Sequence, residues 1–147
     1  MSVLYMLNTD TCAFILRRSS DALLARIQAV PVVQQAMSVV TYAELLYGVQ
    51  VSSKKKANQA AVDALARHVA VLAWPQEAAR HYAQIRADLK KKGSMIGAND
   101  LLIAAHARSL GAIVVTNNIK DFARVKELKI ENWMNRSVPP QQARDHR

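Results

Sequence analysis

Cysteine is nearly absent: Cys12 stands alone in 147 residues. That excludes a disulfide framework within the chain and a zinc site of the usual Cys/His kind, and it fits a reducing, cytoplasmic setting. Long apolar runs are absent as well. Met1 to Leu7 has no basic segment and is too short for a signal core or a membrane span, so it reads as a first strand. No later apolar run approaches span length without a charge, and no internal repeat is evident. Acids are scarce, with 11 Asp and Glu against 20 Lys and Arg, a net charge of +9. The deficit is concentrated between Lys54 and Lys92, where nine basic residues face three acids (Asp63, Glu77 and Asp88). A polyanion such as nucleic acid is the natural partner of such a face. A merely solvated surface would look the same.

Half of the residues, 51%, are apolar, enough for the core of one ordinary domain. The pattern predicts a strand over Leu4–Leu7, helices over Thr11–Arg18 and Asp21–Val30, and a second strand over Met37–Val40. Asn8 or Thr9 is expected to cap the first helix. Thr41 and Glu44 have capping-box spacing for a helix over Tyr42–Val51, in which close packing would explain Gly48. Helices are expected to about Val69, with a short strand over Val69–Leu72, and from Pro75 to about Lys91. Leu101–Leu110 is apolar on nearly every face, hence a buried helix, opened by Asn99 as cap and closed by Gly111. Ala112–Thr116 is the clearest strand. Ile119–Val125 reads as a short helix and Ile130–Trp133 as a last strand. From Met134 the chain is polar, with two prolines, and is expected to be a flexible or vector-derived tail. One domain over 1–133 and a tail over 134–147 result.

Strands alternating with helices predict an α/β domain with a mainly parallel sheet of four or five strands. In such sheets sites form beyond the carboxyl ends of the strands. Asn8 and Asp10 follow the first strand, and Glu44 the second. Asp121 follows the Ile113–Thr116 strand, and Asp100 lies at the start of the buried helix. Each acid alone has a local explanation as a helix-start residue. Together they would repel one another unless a cation neutralised them, and carboxylates with water suit Mg²⁺ or Mn²⁺. Such an ion activates water and stabilises phosphodiester displacement. With the basic surface, this reads as a metal-dependent nuclease.

The residues that carry this reading are similar to the PIN-domain family, and within it to the VapC toxins of type II toxin–antitoxin modules. The matching pieces are Tyr5-Met6-Leu7-Asn8-Thr9-Asp10, Ser38 to Glu44 with Gly48, Ile96-Gly97-Ala98-Asn99-Asp100, and Ile113 to Asn118 running into Asp121-Phe122. The resemblance implies a PIN-like three-layer domain and a Mg²⁺- or Mn²⁺-dependent endoribonuclease. It implies silencing by a VapB-type antitoxin, a homodimer, and a higher assembly with the antitoxin. The details resemble the branch that cuts initiator tRNA. Glu44, Asp100 and Asp121 match the second, third and fourth acids of the family. Asp100 would be a direct ligand, Glu44 would act through water or orient the nucleophile, and Asp121 would hold a second metal or its waters. Thr116 and Asn118 would support the scissile phosphate or the metal shell.

Asn8 departs from the pattern, because the family has an aspartate ligand there. Asparagine keeps one carbonyl oxygen but loses the charge, so metal affinity and activity should fall. Three explanations remain open: an engineered replacement that disarms the nuclease, a natural relic that only binds antitoxin or RNA, or transfer of the ligand role to Asp10. The turn expected after Asn8 counts against the third. Leu7 to Thr11 also resembles the catalytic loop of haloacid-dehalogenase phosphatases. That family, however, needs a nucleophilic aspartate at Asn8, a threonine at Cys12 and an acidic pair after Thr116. His68, His81, His106 and His146 carry no pattern, and His106 reads as a core residue. Trp74 and Trp133 read as packing and Cys12 as a buried apolar residue. Tyr42, Leu45, Leu46 and the Asp10–Leu16 helix are candidates for a dimer or antitoxin groove.

Overall fold

A computed structural model describes residues 2–134. All of the expected 134–147 tail except Met134 lies outside the described residues. Five short strands, β1 (Tyr5–Leu7), β2 (Gln35–Ser38), β3 (Ala70–Leu72), β4 (Ile113–Val115) and β5 (Lys129–Glu131), form one sheet in the order β3-β2-β1-β4-β5. Every pairing is parallel, with Tyr5 opposite both Gln35 and Ile113. Among the described residues seven α-helices connect them: α1 (Thr9–Arg17), α2 (Asp21–Ala29), α3 (Val39–Gln50), α4 (Lys55–His68), α5 (Glu77–Lys92), α6 (Ala98–Leu110) and α7 (Ile119–Phe122).

The two-residue period of the strands divides the core into two layers. Tyr5, Leu7, Ile113 and Val115 pack on one side with Leu23, Met37, Leu45, Val49 and Leu65, beneath α1 to α4. Met6 and Val114 pack on the other side with Ile85, Leu89, Leu101, Ile103 and Phe122, beneath α5 to α7. The result is the expected three-layer α/β domain. Strand order reverses at β1, with β2 and β3 leading one way and β4 and β5 the other. The crevice at the carboxyl ends of β1 and β4 is therefore the position where such sheets place their sites. Among the described residues, no helix is long and apolar enough to cross a membrane.

Several boundaries differ from the sequence reading. The second strand ends at Ser38, and Val39 and Val40 begin α3 despite their β-branched side chains. Ser38 is the N-cap, with Oγ accepting from the Val40 N–H at 3.1 Å. A good cap outweighs a weak strand propensity. Thr41 is therefore a buried residue inside the helix, and the Thr41–Glu44 capping box does not form. In α6 the cap is Gly97, not Asn99, and no side chain caps it. Asn8 is the N-cap of α1, also without a side-chain capping bond. The last strand ends at Glu131, and Trp133 instead packs edge-on against Tyr5 with ring centroids 5.1 Å apart. Close packing does not explain Gly48, because a methyl group there would meet nothing within 4 Å.

Buried polar groups tie the layers together. Gln35 Nε2 donates to the carbonyls of Ile27 and Val30 at 2.9 Å each, fixing the end of α2 to the start of β2. Trp74 Nε1 donates to the Leu102 carbonyl at 3.0 Å, the packing role expected of it. His106, fully buried in α6, shares a hydrogen bond of 2.8 Å between Nδ1 and Ser38 Oγ. Burial pushes its pKa down, which keeps the ring neutral. Ser38 thus caps α3 and anchors α6 at once. Ser38→Ala removes the cap and leaves His106 without that partner. It is expected to cost about 2 kcal/mol, read as a lower urea midpoint with an unchanged slope.

Candidate active site

The site is assembled from the ends of β1 and β4, the first turns of α1, α6 and α7 and the second turn of α3. Asn8 leaves β1 with its N–H on the Val115 carbonyl (2.9 Å), which locks it beside β4. Its side chain is buried, the residue being 3% exposed. Nδ2 donates to Asp10 Oδ1 at 3.0 Å and to Thr116 Oγ1 at 3.3 Å, while Oδ1 is buried with no hydrogen-bond partner among the described residues. Asp10 opens α1 and folds back over β4. It accepts from its neighbour Thr11 N–H at 2.8 Å, from the Asn117 N–H at 2.9 Å, and from the Thr116 hydroxyl at 3.1 Å.

Glu44 comes from the second turn of α3. Freed from any capping box, its carboxylate is held between Thr9 Oγ1, 2.6 Å from Oε1, and Asn99 Nδ2, 3.0 Å from Oε2. Asn99 therefore braces an acid on another helix instead of capping its own. Asp100 lies in the first turn of α6. Asp121 lies in the first turn of α7, where Asn118 Nδ2 donates to Oδ2 at 3.0 Å and Arg124 approaches Oδ1 at 3.7 Å. Thr116 Oγ1 also accepts the Asn118 N–H at 2.9 Å.

Asp100 records the electrostatics of this arrangement. Its carboxyl is half-buried and is pushed up to about 6, first by desolvation and then by the charges of Glu44, Asp10 and Asp121. All the expected site residues therefore share one edge: Asn8, Glu44, Asp100, Thr116, Asn118 and Asp121. They meet as a field rather than a closed cage. Among the described residues, no three His, Cys, Asp or Glu side chains stand close enough to hold an ion by themselves. A set made of oxygen donors alone, a buried carbonyl oxygen on Asn8 without a partner among the described residues and a carboxyl raised by burial and by like charges fits a hard cation that keeps several waters. Mg²⁺ and Mn²⁺ behave in that way.

Sequence reasoning undervalued Asp10, Thr9 and Asn99. In place of the turn expected after Asn8, the chain enters α1 at Thr9, and Asp10 in its first turn reaches back to Thr116 and Asn117 at the rim. Cys12 is inert, as expected, its thiol pushed up to about 12 by burial and by Asp10. Two grooves flank Glu44. One, of about 390 Å³, lies among α1, α3 and α4 and includes Leu16, Leu45 and Gly48. The other, of about 650 Å³, includes Val39, Tyr47 and Asn99.

Metal-free stability should carry the mark of this repulsion. Asp100 holds its proton more tightly in the folded state than in the unfolded state. The carboxylate form is therefore disfavoured by folding, and stability falls as pH rises from about 4 to about 6. Asp100→Asn is expected to stabilise the metal-free protein at pH 7.5 by about 1–2 kcal/mol, after allowance for water screening of a half-exposed group. The gain disappears at pH 3.5, and thermal melts at the two pH values measure it.

Residues 9–128 match the PIN domain family. The chain is 37% identical over 137 residues to the VapC2 ribonuclease of Rickettsia felis, covering 89% of this chain and 98% of that protein. It is 36% identical over 129 residues to the tRNA(fMet)-specific endonuclease VapC of Salmonella typhimurium, covering 88% and 97%. Among solved structures, VapBC2 from Rickettsia felis bound to a promoter DNA fragment superposes with a TM-score of 0.84 at 36% identity, covering 89% of this chain and 99% of that one. DNA-bound VapBC from Salmonella typhimurium gives a TM-score of 0.85 at 36% identity, covering 89% and 98%. This chain belongs to the PIN-domain family, within its VapC branch.

Proposed function

We propose that the protein is the toxin of a type II toxin–antitoxin module, a divalent-metal-dependent endoribonuclease weakened at one ligand by Asn8. The observation that carries this reading is Asp100. Its carboxyl is held high first by burial and then by three other acids, at the same sheet edge as a buried Asn8 carbonyl oxygen that has no partner among the described residues. Such an arrangement costs the free protein stability and is relieved by a cation.

Asn8, Asp100, Glu44 and Asp121 would hold Mg²⁺ or Mn²⁺, which when bound supplies water activation and neutralises phosphate charge. Asp100 would be the direct ligand. Glu44, fixed from both sides by Thr9 and Asn99, is placed to accept a proton from an attacking water. Asp121, oriented by Asn118, would hold further waters or a second ion. Thr116 and Asn118 keep the β4 end rigid around the scissile phosphate. The basic residues of α4 and α5 attract the RNA backbone, so cleavage should weaken steeply with salt.

RNA is the substrate the relatives' names support, and the tRNA(fMet)-specific relative makes initiator tRNA the first candidate. The VapBC complexes support a VapB-type antitoxin as partner, with the apolar groove of α1, α3 and α4 as its seat. A homodimer, assembled further with antitoxin in the cytoplasm and without a membrane, completes the reading. Asn8 also favours a second reading, a PIN domain that binds antitoxin or RNA without cutting.

Cleavage of total RNA in Mn²⁺ separates the two. Asn8→Asp is expected to raise cleavage ~100-fold, the worth of a restored ligand charge in a partly buried site. Adding Asp100→Ala should abolish it. If Asn8→Asp leaves RNA uncut at every Mn²⁺ and Mg²⁺ concentration, the nuclease reading fails.

A further inference from the structure

Asn8 and Asp10 are linked by a hydrogen-bond network that leaves little freedom. Asp10 accepts the Thr11 and Asn117 backbone N–H groups, one Nδ2 hydrogen of Asn8 and the Thr116 hydroxyl. Those four donors occupy the lone pairs a carboxylate has to offer. Thr116 has a single hydroxyl hydrogen. Because its oxygen already accepts from Asn118 N–H at 2.9 Å and from Asn8 Nδ2 at 3.3 Å, that hydrogen goes to Asp10. Both hydrogens of the Asn8 amide are thereby spent on Asp10 and Thr116. The atom left over is Oδ1, buried and without a partner among the described residues. A flipped amide would set Oδ1 against the Asp10 carboxylate, oxygen facing oxygen. Asp10 therefore decides which end of the amide remains available.

That choice has consequences for a cation. An asparagine offering NH₂ repels a metal, whereas one offering its carbonyl oxygen is an ordinary hard-metal ligand without charge. The missing charge is found two residues on, close enough that Asp10 acts on Asp100 through space. We infer that Asp10 is a positioning residue that makes Asn8 a usable metal ligand in this chain, fixing the amide with Oδ1 left free and supplying the negative charge Asn8 lacks. Asp10 is not itself a ligand, since its own lone pairs are taken. The inference rests on the proposed metal site. It adds that this chain, as it stands, binds Mn²⁺, however weakly it cuts.

The test is Mn²⁺ binding, followed by the loss of the free-ion electron paramagnetic resonance signal, on the full chain and four variants. Melts and circular dichroism without metal establish that each is folded. The native protein is expected to bind Mn²⁺. Asp10→Asn should weaken binding at least tenfold, because it removes the charge and lets the Asn8 amide flip. The exchange variant Asn8→Asp/Asp10→Asn, with the same net charge, should recover native affinity or better. Asn8→Ala keeps Asp10 but removes Oδ1, and should weaken binding to a similar degree; it decides the matter if Asp10→Asn does not fold. Native-like binding by Asp10→Asn, or equal binding by native protein and Asn8→Ala, overturns the inference. If only Asn8→Asp binds Mn²⁺, the inference falls and the nuclease reading stands. If Asn8→Asp also fails to bind, both fall.

Discussion

Carboxylates brought to one edge of a parallel sheet repel one another, and this structure is arranged so that the repulsion is held rather than relaxed. Asp100 records it: burial first, and then the charges of Glu44, Asp10 and Asp121, hold its carboxyl high. Neutral donors fix the other acids in place: Thr9 and Asn99 on Glu44, Asn118 on Asp121, and Thr116 with two backbone N–H groups on Asp10. None of these donors is a cation, so the local negative field survives. Among the described residues Arg124 approaches one of the four, at 3.7 Å from a partly exposed Asp121, where water weakens its effect. Elsewhere the chain is strongly basic, and the contrast suits a metal centre surrounded by an RNA-attracting surface.

The topology explains why the acids arrive together. With β1 at the reversal of strand order, the chain leaving β1 and the chain leaving β4 diverge from the same crevice. Helices α1, α3, α6 and α7 all begin at that edge, so the first turns of α1, α6 and α7 and the second turn of α3 bring Asp10, Asp100, Asp121 and Glu44 there. The Ser38–His106 hydrogen bond fixes the start of α3 against α6, joining the two helices that carry Glu44 and Asp100. It is a buried contact made by a neutral ring, so it adds no charge to the site.

The sheet, its parallel sense and the buried α6 were legible in the sequence, because β1, β4 and α6 are short, strongly apolar and bounded by clear stops. The site residues were legible for a related reason: each acid follows a strand or opens a helix. Cap assignments were not. Ser38 and Thr41 are both good caps, and only the tertiary bond to His106 selects Ser38. Asn99 looked like a cap because capping is local, whereas its actual partner, Glu44, is distant in sequence. Asp10 was undervalued for the same reason. The sequence suggests a turn after Asn8, but where the Asp10 carboxylate goes depends on Thr116 and Asn117, more than a hundred residues away. Gly48 was assigned to packing, and the structure places it instead on the wall of an open groove.

Carbon-13 titration of the Asp100 carboxyl by NMR, first without metal and then in Mg²⁺, addresses the convergence most directly. A midpoint near 6 in the metal-free protein, driven below the ordinary 3.8 by Mg²⁺, is expected if four acids surround a cation position. An ordinary midpoint that Mg²⁺ leaves unchanged would mean that the acids do not act on one another, and would contradict a metal centre at this edge.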